Sequence, residues 1–273
     1  MKILMQTDME GVAGVIDFEN WARADGRYYD KAKRLLTEEV NAAVEGLVAG
    51  GATQINVLDG HGAGGIDPEL LHERADLQRG HADKVWPWTM DSTYDALVFV
   101  GQHAKAGTDY SHMSHTQSTR YVDLSVNGVS IGEYGQLALC AMELGVPTIF
   151  ATGEEAFARE AEALTPGVIT VSVKRGLKKD GLDHLSQPEY ARAKLSACHA
   201  SPKRARKMIR EGAEKAARRL ASFPKSFSYP ELSPPYVRTA RFRAKGDEPA
   251  YEARDEHPTS IIALLNMPFT KTG

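Results

Sequence analysis

Short, nearly unbroken runs of apolar residues recur along the chain, and each stops abruptly at a glycine or a charged residue. Residues 3–7 form the first run, β-compatible and closed by Asp8-Met9-Glu10-Gly11. After a polar, aromatic stretch to about Tyr29, Leu36, Val40, Ala43, Val44 and Leu47 recur at spacings of three and four. That period predicts an amphipathic helix, which Gly50-Gly51 ends with a left-handed cap. Residues 55–58 predict a second strand, stopping at Asp59-Gly60-His61-Gly62. Strand, helix, strand in this order is the βαβ signature of a parallel sheet. Residues 96–100 repeat the pattern and stop at Gly101-Gln102-His103.

Residues 121–126, then Asn127-Gly128, then residues 129–131 predict a hairpin, because Asn-Gly supplies the positive φ angles of a type I′ turn. Glu133 opens a helix whose face carries Leu137, Cys140, Ala141 and Leu144 and which stops at Gly145. A strand at 148–151, a helix at 154–164 and a strand at 168–173 follow. Two more helices are expected at 188–199 and 202–221, the second entered by Ser201 as N-cap with Pro202 at the first position. A Pro-rich segment at 223–235, strands at 236–242 and 251–253 and a helix from Pro258 complete the pattern. The predicted class is α/β: a three-layer sandwich around a mostly parallel sheet, with a smaller α+β subdomain containing the hairpin. Residues 1–80 and 190–273 are expected to form the parallel-sheet domain, and 81–189 the subdomain.

With 273 residues, 42% hydrophobic and 25% charged, the chain has the composition of an ordinary globular protein. A net charge of −3 gives no bulk attraction for nucleic acid or an anionic membrane, so neither is expected as a partner. The first apolar run is too short for a signal-peptide core or a membrane span, and the two cysteines, Cys140 and Cys198, make neither a disulfide framework nor a thiolate metal site. Both features fit a cytoplasmic protein.

The chemistry lies where the strands end. Three separate apolar runs stop at potential metal ligands: Asp8 with Glu10, His61, and His103. In an open α/β sheet, side chains just beyond the carboxyl ends of parallel strands converge on one crevice. If the backbone stays extended after residue 7, Asp8 and Glu10 point to the same side. Glu133, at the start of its helix, can add a fifth ligand, although the helix macrodipole alone also favours an acid there. Carboxylates and imidazoles without thiolate suit zinc, manganese or cobalt. Two dications balance three carboxylates and a bridging hydroxide, whereas a single dication leaves a net negative set that protonation or a nearby Lys can balance; a pair generates a hydroxide nucleophile and clamps the oxyanion of a hydrolysis. His112 or His115, in the polar segment after His103, can serve as acid/base.

Each residue also has a plainer role open to it. His61 and His103 can be histidines bonded to backbone, and the remaining histidines, His72, His81, His184, His199 and His257, sit in charged or helical contexts that predict surface positions. Gly62-Ala63-Gly64-Gly65 lacks the Lys-Ser/Thr of a phosphate loop. The basic residues from Lys203 to Arg219 read as a solvated helix face.

Taken together these residues resemble the DppA-type D-aminopeptidases, whose N-terminal signature Asp-x-Glu-Gly stands here as Asp8-Met9-Glu10-Gly11. The likeness continues through Thr37-Glu38-Glu39, Asp59-Gly60-His61, Gly101-Gln102-His103-Ala104, Met113-Ser114-His115 and Gly132-Glu133-Tyr134-Gly135. The resemblance implies two zinc ions held by Asp8, Glu10, His61, His103 and Glu133, with His115 as the catalytic residue. It also implies release of N-terminal residues from short peptides by a ring-shaped homo-oligomer, a decamer in the family. The stretch from Lys178 to His199 is longer than the family pattern and the tail after Pro235 matches loosely, so the subunit number is left open. Two further readings stand beside this one: a two-metal phosphoesterase, and a peptide-binding protein without catalysis.

Overall fold

The computed structural model describes residues 1–81 and 83–272. In chain order its elements are β1 (Lys2–Thr7), a π-helical turn at Phe18–Ala22, α1 (Tyr29–Ala49), β2 (Gln54–Asp59), β3 (Asp76–Arg79), β4 (Ala96–Gln102), β5 (Tyr121–Val126), β6 (Val129–Ser130), α2 (Glu133–Leu144), β7 (Thr148–Glu154), α3 (Glu155–Leu164) and β8 (Ile169–Gly176). They continue with α4 (Gln187–Ala193), β9 (Ala197–His199), α5 (Pro202–Ser222), β10 (Tyr236–Phe242), β11 (Tyr251–His257), α6 (Ile261–Asn266) and β12 (Lys271–Thr272).

Seven strands form one sheet in the order β3-β2-β1-β4-β7-β8-β9, parallel except for β9 at the edge. The order runs outward from β1 to β2 and β3 on one side, and through β4 to β7 and β8 on the other. The boundary between β1 and β4 is therefore the topological switch point, where an open sheet leaves a crevice beyond its carboxyl edge.

Alternate side chains of the central strands feed two cores, as the two-residue period of a strand requires. Ile3, Met5, Val57, Val98 and Val100 join Leu36, Val40 and Leu47 of α1 and Ile209 and Ala213 of α5. Leu4, Leu58, Leu97 and Phe99 face Tyr134, Leu137 and Ala138 of α2 and Phe157 of α3. Beyond α2 lies a second, antiparallel sheet, β12-β11-β10-β5-β6, whose Leu124, Val126, Ala240 and Phe242 complete the same core with Ile261 and Leu264 of α6. The expected α/β class and layering are seen. No helix among the described residues is long and apolar enough to cross a membrane.

The hairpin turns on Asn127 (φ 49°) and Gly128 (φ 79°), as its sequence predicts. Other expectations need correction. The division at residues 81 and 190 does not follow the sheets: β4, β7 and β8 all lie in the parallel sheet, while residues 236–272 supply most of the antiparallel one. Hydrogen-bond partners between strands set a sheet, and a linear pattern does not reveal them. The helix expected at 188–199 ends at Ala193, and residues 197–199 instead pair with β8 as an edge strand. Gly50 keeps a right-handed conformation and Gly51 (φ 103°) makes the left-handed turn.

Two glycines allow the strand ends to close on one another at the switch point. A Cβ on Gly11 would stand 2.0 Å from the Gln102 carbonyl oxygen, and one on Gly101 (φ 77°) would stand 2.1 Å from the Asp8 carbonyl oxygen. The backbones are joined there by Gly11 N–H donating to Gly101 O at 2.7 Å. Gly101→Ala combines a left-handed backbone with a steric clash, and is expected to cost about 2 kcal/mol or more. Urea denaturation measures this, and a loss below about 0.5 kcal/mol would mean that the contact is readily relaxed.

Candidate metal centre

Asp8, Glu10, His61, His103, His115 and Glu133 come together at the carboxyl edge of β1, β2 and β4, with Glu133 and His115 delivered from the start of α2 and the loop after β4. Asp8 lies in the middle. Its Oδ1 is 3.1 Å from His61 Nδ1, which is 3.2 Å from Glu10 Oε2. Its Oδ2 is 3.2 Å from His103 Nε2, which is 3.6 Å from Glu133 Oε1. His115 Nε2 approaches the same Glu133 oxygen at 3.6 Å, and its ring stacks on His103 with centroids 4.0 Å apart. The two oxygens of one carboxylate thus face two groups of nitrogen and oxygen donors.

Each histidine has one ring nitrogen placed against a backbone carbonyl. His61 Nε2 lies 2.8 Å from Ala22 O, His103 Nδ1 2.9 Å from Ala104 O, and His115 Nδ1 2.9 Å from Met113 O. Donation there fixes the tautomer and directs the other nitrogen's lone pair into the centre, the arrangement of metal-binding imidazoles. Glu10 Oε2 and His103 Nε2 are buried and lack a well-directed hydrogen bond, each having only an imidazole or carboxylate atom at 3.2 Å. Buried polar atoms are rarely left so unless something else satisfies them. The donor set therefore fits divalent cations.

The protonation of these groups points the same way. Burial opposes a charge on His61, but Glu10 and Asp8 outweigh it and push its pKa up to about 12. Burial is again outweighed at His103, which Glu133 and Asp8 hold well above the ordinary range. Asp8 is held well below the carboxylate range, where the hydrogen bonds of His103 and His61 overcome its burial. Glu133 is lowered against its own burial, by His103 first. These shifts favour protonated imidazoles beside ionised carboxylates, and a metal ion would take the place of those protons.

Residues not singled out as ligands from the sequence support the donors. Gln102 Nε2 donates to Asp8 Oδ2 at 2.9 Å. Arg79 of β3 donates to the carbonyls of Asp59, His61 and Gly62, shaping the loop that presents His61. Asp59 accepts from Gly65 N at 2.9 Å and Ile66 N at 3.3 Å, so this glycine-rich loop spends amides on its own carboxylate rather than on a phosphate. Glu154, the last residue of β7, accepts from Ala104 N and His112 N. Beneath the centre, Lys174 of β8 donates to Glu10 O and Val15 O, and Glu39 of α1 accepts from Ala13 N.

The site opens into a cavity of about 590 Å³. Asp8, Glu10, His61, His115 and Glu133 lie on its floor, Val85, Trp86, Trp88 and Leu137 give apolar wall, and Arg23, Asp25 and His81 stand on other parts of its lining. The segment of Trp86 is clamped from far along the chain: Asn266 at the end of α6 accepts from Trp86 N at 3.1 Å and donates to Trp86 O at 2.8 Å.

Of the two histidines weighed as acid/base, only His115 reaches the centre. His112 is fully buried, with Nε2 3.0 Å from Ile16 O, and its ring meets the edge of His199. His199 is not the surface residue expected, since its Nδ1 accepts from Gly14 N at 3.1 Å. His81 was also expected at the surface without further role; it is exposed, but it faces the cavity.

A doubly wound sheet with carboxylates and imidazoles gathered at its switch point defines an open α/β protein with a hydrolase-type centre. The chain belongs to the D-aminopeptidase family: the family model Peptidase_M55, described as D-aminopeptidase, matches residues 1–248. A D-aminopeptidase of Bacillus subtilis (strain 168) is 32% identical over 197 residues, 70% of each chain. A solved structure, the Zn-dependent D-aminopeptidase DppA from Bacillus subtilis, described as a self-compartmentalizing protease, has the same fold. Its TM-score is 0.81 at 24% identity, over 97% of this chain and 95% of that one.

His112 provides a test of pH dependence. Burial first, and then the charges of Lys174 and His199, lower its pKa from 6.5 to about 2. The folded protein therefore keeps it neutral while the unfolded chain takes up a proton below pH 6.5. The stability it supports is present above that value and is lost as pH falls towards 2, at about 1.4 kcal/mol per pH unit. His112→Gln is expected to flatten the acid side of the stability profile between pH 6.5 and 4.5, measured by urea denaturation. Parallel profiles for the two proteins would reject the assignment.

Proposed function

We propose that this chain is a metal-dependent aminopeptidase that hydrolyses the N-terminal residue, a D-amino acid, from short peptides. Asp8, Glu10, His61, His103 and Glu133 would hold two divalent ions. The observation that carries this reading is the central position of Asp8, with one oxygen toward His61 and Glu10 and the other toward His103 and Glu133. The absence of thiolate from the donor set favours zinc over softer ions, and the Zn-dependent structural relative supports the same choice. When bound, such ions lower the pKa of water and polarise a carbonyl.

The chain's own residues supply the rest. His115, its Nδ1–H committed to Met113 O, presents a bare Nε2 to the centre, where it would take a proton from the attacking water and return it to the leaving amine. The edge of Phe18, 5.4 Å away, and the stacked His103 hold its ring in place. Glu133 is itself oriented by Gln117 N–H, which donates to Oε1 at 2.7 Å. Arg23 is the one Lys or Arg on the cavity lining among the described residues, so a phosphoester dianion would find few side-chain cations there.

The self-compartmentalizing relative supports a homo-oligomer for this chain as well, in keeping with the ring of ten that the sequence resemblance implies. Cys140 and Cys198 are both free, which is compatible with the cytoplasm as its place of work.

Zinc-reconstituted protein is expected to contain two equivalents per chain and to cleave D-dipeptides in preference to matched L-dipeptides, with activity lost to a chelator. Active protein with well under one equivalent would exclude the metal reading. Turnover of a generic phosphoester alone would favour a phosphoesterase, and peptide binding without turnover a binding protein. His115→Ala is expected to keep both zinc equivalents and lose turnover by about 10² or more. Undiminished kcat in that variant, or loss of an ion, would remove His115 from the role of proton carrier.

A further inference from the structure

Lys174 is 3% exposed, and its amine lies under the loop that carries the first two donors. Its Nζ donates to the carbonyl of Glu10 and, at 3.4 Å, to that of Val15, so a single side chain holds both ends of the segment 10–15. Other elements grip the same segment at other points. Glu39 accepts from Ala13 N at 3.0 Å, His199 accepts from Gly14 N, and His112 reaches the carbonyl of the residue just after the segment, Ile16. Among these, Lys174 alone bonds to the backbone of a donor residue. Across the site Glu154 accepts from Ala104 N, beside His103, and from His112 N. The carboxyl groups that act on the amine are Glu154, Glu10, Glu39 and Asp8, although burial raises the pKa of Glu154 and pushes that of Glu39 up to about 8.

An ammonium is costly to bury unless it is paired and hydrogen-bonded, and a methionine of similar length would fill the same space. What the amine adds over such a side chain is its grip on two carbonyls. We infer that Lys174 is the positioning residue of the centre, fixing the main chain at Glu10 so that Asp8 and Glu10 are presented to the ions in a preformed arrangement. The inference rests on the metal-dependent reading above. Residues behind metal ligands that orient them in this way act chiefly on ion affinity.

Lys174→Met and Lys174→Arg, compared with the wild type, test it. Zinc affinity is measured by competition with a chromogenic chelator, folding by thermal unfolding, and kcat and KM on a D-dipeptide at saturating zinc. Lys174→Met is expected to weaken zinc binding about 10- to 100-fold. Its kcat should return close to wild type once zinc saturates, because His115 and the donors are intact, and Lys174→Arg should regain part of the affinity. A residue that served only stability would lower the unfolding temperature and leave the affinity of the folded protein unchanged, and that result overturns the inference. If the Met variant does not fold, the Arg variant carries the comparison. Weaker zinc binding with faster amide exchange at residues 10–16 supports the role, and wild-type values for both overturn it. Wild-type protein that binds no zinc would overturn the metal reading and this inference together. Two equivalents in the wild type with equal affinity in the folded Met variant would overturn the inference alone.

Discussion

Negative charge concentrated in a poorly hydrated place is the constraint on which the structure turns. Asp8, Glu10 and Glu133 lie on the floor of one cavity, the first two almost wholly buried. Like charges this close cannot coexist in a low-dielectric environment without cations among them. In the protein by itself the imidazoles of His61 and His103 take that part, which is why both are driven so far toward their protonated forms. The centre is therefore built for positive charge, and divalent ions meet that demand with fewer particles and more directional bonds than protons do.

The sheet places these groups and the loops aim them. Because the strand order reverses between β1 and β4, the ends of those strands can be neighbours and still leave a crevice above them. The glycines at positions 11 and 101 bring the two backbones into direct contact, and the loops then leave the sheet at fixed angles. Buried polar residues set those angles: Arg79 for the His61 loop, Lys174 and Glu39 for the Glu10 loop, and Glu154 for the chain after His103. The donors are thereby held by rigid scaffolding at one side and by charged, hydrogen-bonded residues at the other, while the cavity above them is free to suit its substrate.

Much of this was legible in the amino-acid order, for a physical reason. Buried parallel strands are written as apolar runs, and the residues that follow them are where a sheet of this kind works; Asp8, His61 and His103 stand out on that ground alone. The hairpin and α2 were readable because Asn127-Gly128 and Gly145 have few alternatives to the conformations they adopt. The supporting residues were not. Lys174 lies just past the alternating 168–173 segment, and nothing local reports that β9 and the loop at Glu10 cover it. β3 is short and largely exposed, and β9 lies in a polar stretch, so neither carries a hydrophobic period. Glu154 did have a signal: it closes a wholly buried strand, just as the donors do, and was instead assigned to the following helix.

The hold of Asn266 on Trp86 links the cavity to a part of the chain that lies outside the family match, which ends at residue 248. A change at Asn266 can therefore tilt an indole and reshape the chamber while Asp8, Glu10, His61, His103 and Glu133 stay where they are.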